Sequence, residues 1–178
     1  MHLEEKQLTS ELKYDGRIVK LYSDTVLLEN GKNTSREVIK HPGGVCIVAL
    51  TEDNDVLFVR QFRYPHGKVL LEIPAGKLEY GEAHRDCGIR ELKEETGCTC
   101  DSFEYLGNLL PTPAYDTEVI HMYLARGLHS GEQHLDDNEF LEVEKIPLDK
   151  AVEMILNNEI SDAKTQLAIL KTKMLLSK

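Results

Sequence analysis

Between Gly76 and Cys98 the chain reads GKLEYGEAHRDCGIRELKEETGC, which places Glu91, Glu94 and Glu95 in one short acid-rich run beside Arg90. At about 100° per residue, a helix from Ala83 gathers these carboxylates within roughly a quarter to a third of its circumference. Gly88, Ile89, Leu92 and Thr96 share another face, one that can pack on a sheet. Carboxylates so close together repel one another. Glu94 and Glu95 also fall in the last turn before Gly97, the predicted left-handed stop, where the helix dipole favours cations. Local rules are broken in this way at functional sites, and a bound divalent cation offsets the repulsion more strongly than any neighbouring side chain. All-oxygen ligands suit Mg2+ or Mn2+. Taken alone, three glutamates more often describe a solvated surface helix with an ordinary Arg90 to Glu94 pair.

The glycines and the spacing separate these two readings. Gly76, five residues, Glu82, seven residues, Arg90-Glu91, apolar Leu92, Lys93, Glu94-Glu95, Thr96, Gly97 and apolar Cys98 match the Nudix box at every defined position. The chain therefore resembles the Nudix hydrolases. Three upstream segments are similar to those of the ADP-ribose pyrophosphatase subfamily: His41 to Val45 (HPGGV), Val59 to Pro65 (VRQFRYP) and Leu71 to Glu79 (LEIPAGKLE). Pro113, downstream of the box, is similar to that subfamily's marker, whereas Tyr115 is similar to the marker of diadenosine polyphosphate hydrolases. The upstream motifs carry the choice. The likeness runs from about Arg36 to Ile169.

The resemblance implies a Nudix α/β/α sandwich of the α/β class, with a mixed sheet and a loop-helix-loop box, and hydrolysis of ADP-ribose to AMP and ribose 5-phosphate. It also implies site roles. Glu91 and Glu95 bind Mg2+ (or Mn2+) together with the Ala75 carbonyl, and Glu94 completes the cluster or supports it. Glu82 assists, and Arg90 orients the carboxylates, a task that suits its fixed fork of donors. Glu72 serves similarly. Glu139, in the run Asp136-Asp137-Asn138-Glu139, occupies the place of the general base, and Arg63 pairs with a phosphate. With no tryptophan in the chain, the base is left to other groups. Arg36 stacks on it, Glu37 accepts from its amino group and Pro113 stands in the binding wall. Other readings stay open: a nucleotide-sugar (GDP-mannose type) or diadenosine polyphosphate pyrophosphatase, or a Nudix domain that senses ADP-ribose without cleaving it. The intact acidic set argues against the last.

Several elements must position these groups. Arg17 to Tyr22 and Thr25 to Glu29 read as strands, and Asn30-Gly31 as a hairpin turn before Ser35 to Lys40. Further strands are expected over Val45 to Leu50, Val56 to Tyr64, Val69 to Ile73, Phe103 to Leu109, Thr117 to Ala125 and Leu141 to Ile146. Leu110 to Tyr115, with two prolines, reads as a rigid loop, and Gly127 to Asn138 as a mobile one. Helical spacing marks Asp149 to Asn157 and Ala163 to Leu176, the second with Ser161 or Asp162 as N-cap.

At 178 residues and 41% hydrophobic content the chain fits one catalytic domain over 41–178, preceded by a small antiparallel β unit over 1–40. A unit of that size needs something to pack on, and the resemblance implies a homodimer with swapped N-terminal strands. Lysine plus arginine total 21 against 31 acids, a net charge of −10, which disfavours nucleic acid as a partner, while a small nucleoside diphosphate is the substrate that the resemblance implies. The charged start MHLEEKQLTS is no signal peptide and no membrane span is visible, so a soluble cytoplasmic protein is expected. Cys46, Cys87, Cys98 and Cys100 form no C-x-x-C pair and read as reduced, structural thiols.

Overall fold

Strand β4 (Gly44–Leu50) carries no charged side chain and none of its seven residues is exposed, so both faces of the sheet around it must be covered. In the computed structural model, which describes residues 3–135 and 137–177, they are covered by helices of two different kinds. The odd residues Val45, Ile47 and Ala49 pack with Cys87 and Leu92 of α1 (His84–Thr96). The even residues Cys46, Val48 and Leu50 pack with Ala151 and Ile155 of α2 (Leu148–Leu156) and Ala168 and Ile169 of α3 (Ala163–Leu176). The period-2 alternation of a strand thus divides one apolar run between two cores.

The sheet holds β4, β5 (Asp55–Arg63), β6 (Lys68–Glu72), β7 (Ala75–Lys77), β8 (Thr99–Leu109), β9 (Ile120–His129) and β10 (Leu141–Pro147). Its order is β10-β5-β4-β9-β8, with β6 added to β5 and β7 to β4. Only β4 with β9 is parallel among these pairs, which makes the sheet mixed. This is the expected α/β/α sandwich. Of the two N-caps expected for α3, Ser161 or Asp162, it is Asp162 that caps the helix, its side chain accepting from the Thr165 N–H.

The chain forms two compact units, Met1–Gly43 with Leu110–Val119, and Gly44–Leu109 with Ile120–Lys178. In the first, β1 (Lys6–Asp15), β2 (Lys20–Leu27) and β3 (Asn33–Lys40) form an antiparallel sheet in the order β1-β2-β3. Nothing in the sequence pattern marks β1, and β2 runs unbroken where two strands are expected. Every residue of β1 is exposed, so no burial imposes the alternation by which a strand is recognised. The 110–119 segment joins the same unit: Ile39 N–H donates to Tyr115 O (2.7 Å) and Thr117 N–H to Ile39 O (3.0 Å). The residues from Thr117, expected to begin a strand, are occupied in this way, and β9 starts at Ile120. No helix of the described residues is long and apolar enough to cross a membrane.

Candidate active site

α1 differs from its expected wheel in an instructive way. Its buried residues are Cys87, Gly88, Leu92 and Glu95, while Ile89, assigned to the packing face, is exposed. Gly88 is small because Phe103 lies over it: a Cβ there would stand 2.8 Å from the ring. Glu95, only 2% exposed, therefore lies on the packed arc beside Gly88 and Leu92 and not with the solvated acids. A helix rarely buries a carboxylate unless something holds it. Here Glu95 Oε2 accepts from the Ala75 N–H at 2.9 Å.

The other acids converge on Arg90. Its Nε donates to Glu82 Oε1 (2.9 Å), and its Nη1 to both Glu91 Oε1 and Glu94 Oε2 (2.8 Å each). A second bond, from Nη2 to Glu82 Oε2 at 3.1 Å, makes the Glu82 contact bidentate. Three carboxylates thus share one guanidinium, leaving an acid surplus on one side of the helix. Glu91 owes its position to Gly76 as well, since a Cβ at residue 76 would fall 1.9 Å from the Glu91 carboxyl group. No side chain other than hydrogen leaves that space open.

Electrostatics follow from this packing. Burial pushes the Glu95 carboxyl up to about 8; the Ala75 N–H works against that rise, and the charges of Glu139 and Glu91 add to it. Glu91 is also raised, by burial first and against the pull of Arg90. Glu82, hydrogen-bonded to Arg90, is lowered to about 2. Two desolvated carboxyl groups, each raised further by neighbouring acids, are short of positive charge, which is what a hard divalent cation supplies. As they stand, no three His, Cys, Asp or Glu side chains among the described residues enclose an ion, because Arg90 occupies the focus of Glu82, Glu91 and Glu94. The donor chemistry and the cradle at Gly76 fit a metal that displaces part of this pairing.

The segment expected to be a mobile loop is tied to α1. His134 N–H donates to Glu94 O (3.0 Å) and Gln133 Nε2 to Glu95 O (2.5 Å), which satisfies two of the carbonyls that a helix end leaves unpaired. That anchorage leads the chain to Glu139, whose Oε1 accepts from Gln61 Nε2 of β5 at 3.3 Å. Glu139 is close enough to raise the pKa of both Glu91 and Glu95. Asp136, in the same acidic run, lies outside the described residues. Nothing in the sequence marked Gln133 or His134 as caps, since the pairing spans about 40 residues and obeys no local rule.

Arg63, at the end of β5, makes a bidentate pair with the buried Glu72 of β6. The register pairs Val59 with Glu72 and Arg63 with Lys68, which puts both side chains on one face of the β5-β6 hairpin, and the long arginine side chain reaches back along it to Glu72. Arg63 also feels the charge of Glu95. Arg36, Glu37 and Pro113 belong to the other compact unit. There Arg36 is held by Glu5, through Nε to Oε2 (2.9 Å) and Nη2 to Oε1 (2.5 Å), while Glu37 and Pro113 are exposed.

Comparison with known proteins gives this arrangement a family. The NUDIX domain model matches residues 40–167, and the chain belongs to the Nudix family of hydrolases. It is 42% identical over 168 residues to the methanol dehydrogenase activator of Bacillus methanolicus, covering 93% of this chain and 91% of that one. To the ADP-ribose pyrophosphatase of Bacillus subtilis (strain 168) it is 40% identical over 169 residues, covering 94% and 91%. A crystal structure of an ADP compounds hydrolase matches the fold with a TM-score of 0.86 at 21% identity, over 98% of this chain and 95% of that one.

Proposed function

We propose that this chain hydrolyses the pyrophosphate bond of ADP-ribose, giving AMP and ribose 5-phosphate, with Mg2+ or Mn2+ as cofactor. The acid surplus of Glu82, Glu91 and Glu94 around one arginine, beside the buried Glu95, is the observation that carries this reading. Identity of 40% to an ADP-ribose pyrophosphatase supports the substrate.

Glu91, Glu95 and the Ala75 carbonyl are the proposed metal ligands, with Glu94 completing the set. Held by these residues, a metal would neutralise phosphate oxygens and would supply a nucleophile near neutral pH. Arg90 keeps the carboxylates apart and oriented when they would otherwise repel. Glu139 accepts the proton of the attacking water, its own side chain steadied by Gln61. Arg63, half exposed and fixed by Glu72, binds a substrate phosphate. In the unit containing 1–40 the proposed base contacts are Arg36, Glu37 and Pro113, which requires Arg36 to leave Glu5. The exposed strand β1 supports a homodimer with swapped N-terminal strands, the catalytic domain being 41–178, acting in the cytoplasm.

Phosphorus NMR of ADP-ribose incubated with enzyme and Mg2+ should show AMP and ribose 5-phosphate. Intact ADP-ribose alongside cleaved GDP-mannose would move the assignment to the nucleotide-sugar alternative. Light scattering tests the dimer. A mixture of Arg36→Ala and Glu95→Gln chains tests shared sites by recovery of activity. A second reading is favoured by the 42% identity to a methanol dehydrogenase activator, namely that this chain activates an alcohol dehydrogenase. Adding it to methanol dehydrogenase and finding no change in rate would dismiss that reading.

A further inference from the structure

In the unit that holds β1, β2 and β3, Asp24 and Val26 are the buried residues of the central strand β2. Asp24 is 8% exposed, and its Oδ1 has no hydrogen-bond partner among the described residues. Its other oxygen accepts from Gln7 Nε2 at 2.9 Å, a donor without charge. A buried carboxylate is ordinarily paired with a cation or with a full set of donors. The register sets Arg36 of β3 directly opposite Asp24, so the two side chains stand as cross-strand neighbours on one face of the sheet. Arg36 nevertheless pairs elsewhere. Its Nε donates to Glu5 Oε2 (2.9 Å), its Nη2 to Glu5 Oε1 (2.5 Å) and its Nη1 to Ser35 O (3.0 Å). Lys40, the other cation that β3 places on this face, lies over the Tyr22 ring, 4.1 Å from its centroid.

Glu5 and Asp24 therefore offer one guanidinium two different seats. The Glu5 pair is exposed on both sides, at 41% and 43% of the side chains, and a pair of that kind is released at little cost. Asp24 is already desolvated, so a charge-assisted bond to it meets little competing water and satisfies an oxygen that otherwise has no donor. A base stacked on Arg36 strips water from the guanidinium, which increases the worth of a buried anionic partner over an exposed one. We propose that Asp24 is a positioning residue for the nucleobase: when a base binds, Arg36 moves from Glu5 to Asp24 Oδ1, which fixes the plane of the guanidinium beneath the ring. Glu5 is then a competitor that holds the arginine in the free protein. This rests on the base-stacking role given to Arg36 above.

Calorimetric titration of the full chain with ADP in EDTA, where no hydrolysis occurs, separates this inference from the choice of substrate. Asp24→Asn keeps the shape and the Gln7 contact but turns the other oxygen into a donor. It should weaken ADP about fivefold and raise KM for ADP-ribose by a similar factor, with kcat changed less than about twofold. Glu5→Gln should act in the opposite sense and tighten ADP about twofold, since it frees the arginine. Arg36→Ala should weaken ADP about tenfold, and in that background Asp24→Asn should cost less than about twofold more, because its effect passes through Arg36. Damage to the β1-β2-β3 sheet would not spare that background. With Arg36→Ala weakened, wild-type affinity in Asp24→Asn, additive losses in the double variant, or weaker binding by Glu5→Gln would each overturn the inference alone. Wild-type affinity in Arg36→Ala, or no ADP binding by the wild type, would overturn the base contact and this inference with it. The expected binding pattern with ADP-ribose left intact under Mg2+ would overturn only the substrate assignment.

Discussion

Two clusters of paired charge differ in their balance. Arg90 serves Glu82, Glu91 and Glu94, so acids exceed bases around it. Arg63 and Lys164 meet Glu72 and Asp162, so there two bases face two acids and the cluster is closed within itself. A region short of positive charge favours a hard cation, which a metal-assisted reaction on an anionic substrate requires. A balanced surface pair such as Lys150 with Glu153 contributes little to stability and selects no ligand.

The comparison breaks most visibly at Glu95. Glu95→Gln keeps the shape but removes the charge, and kcat should fall by roughly 10²-fold or more. In metal-free protein the sign for stability reverses. Glu95 is raised from its ordinary 4.5 to about 8, so its ionisation costs folded-state stability as pH climbs through that window. The variant should therefore melt higher than the wild type at pH 8 in EDTA. A lower melting temperature there, or normal turnover at saturating Mg2+, would remove Glu95 from the acid-surplus site.

At the Glu72 cluster the pH dependence has the opposite sign. Burial pushes Glu72 up, but Arg63 and Lys164 outweigh it and hold the carboxyl at about 2, down from 4.5. Its stabilising contribution is full above pH 4.5 and is lost as pH falls through 2. Discounted for the exposure of Arg63, this amounts to about 2 kcal/mol. Denaturant titrations of wild type and Glu72→Gln should differ by that amount at pH 6 and converge near pH 2. A gap that persists at pH 2 would show that Glu72 acts through packing.

Smaller effects sharpen the acidic side. Glu139→Gln should lower kcat by roughly thirtyfold, within the range for general-base removal, and leave Mg2+ affinity less affected. A matched loss of metal binding would make Glu139 a ligand. Gly76→Ala drives a methyl group into the Glu91 carboxylate, so that side chain must rotate away. A loss of about tenfold in kcat/KM is expected from a misplacement of that size. Unchanged kinetics would mean that Glu91 has no fixed position.

By itself the sequence determined the acid-rich helix and its neighbours, because these rest on local rules. The glycines around α1, the buried run of β4 and the Asp162 cap of α3 are each legible within a few residues. Family and fold were accessible for the same reason, since the box is a short pattern at fixed spacing. Tertiary structure alone decided that Glu95 is buried while Ile89 is exposed, because the arc of α1 that packs is set by Phe103 and the sheet and not by hydrophobicity. Gln133 and His134 as caps of α1, and Lys164 as second partner of Glu72, were equally invisible in the chain order. Lys164 meets Glu72 across 92 residues, and β1 hid because a strand exposed on all its residues carries no alternation to read. Local periodicity reports burial along one element, whereas a charge pair between distant elements obeys only the geometry that brings them together.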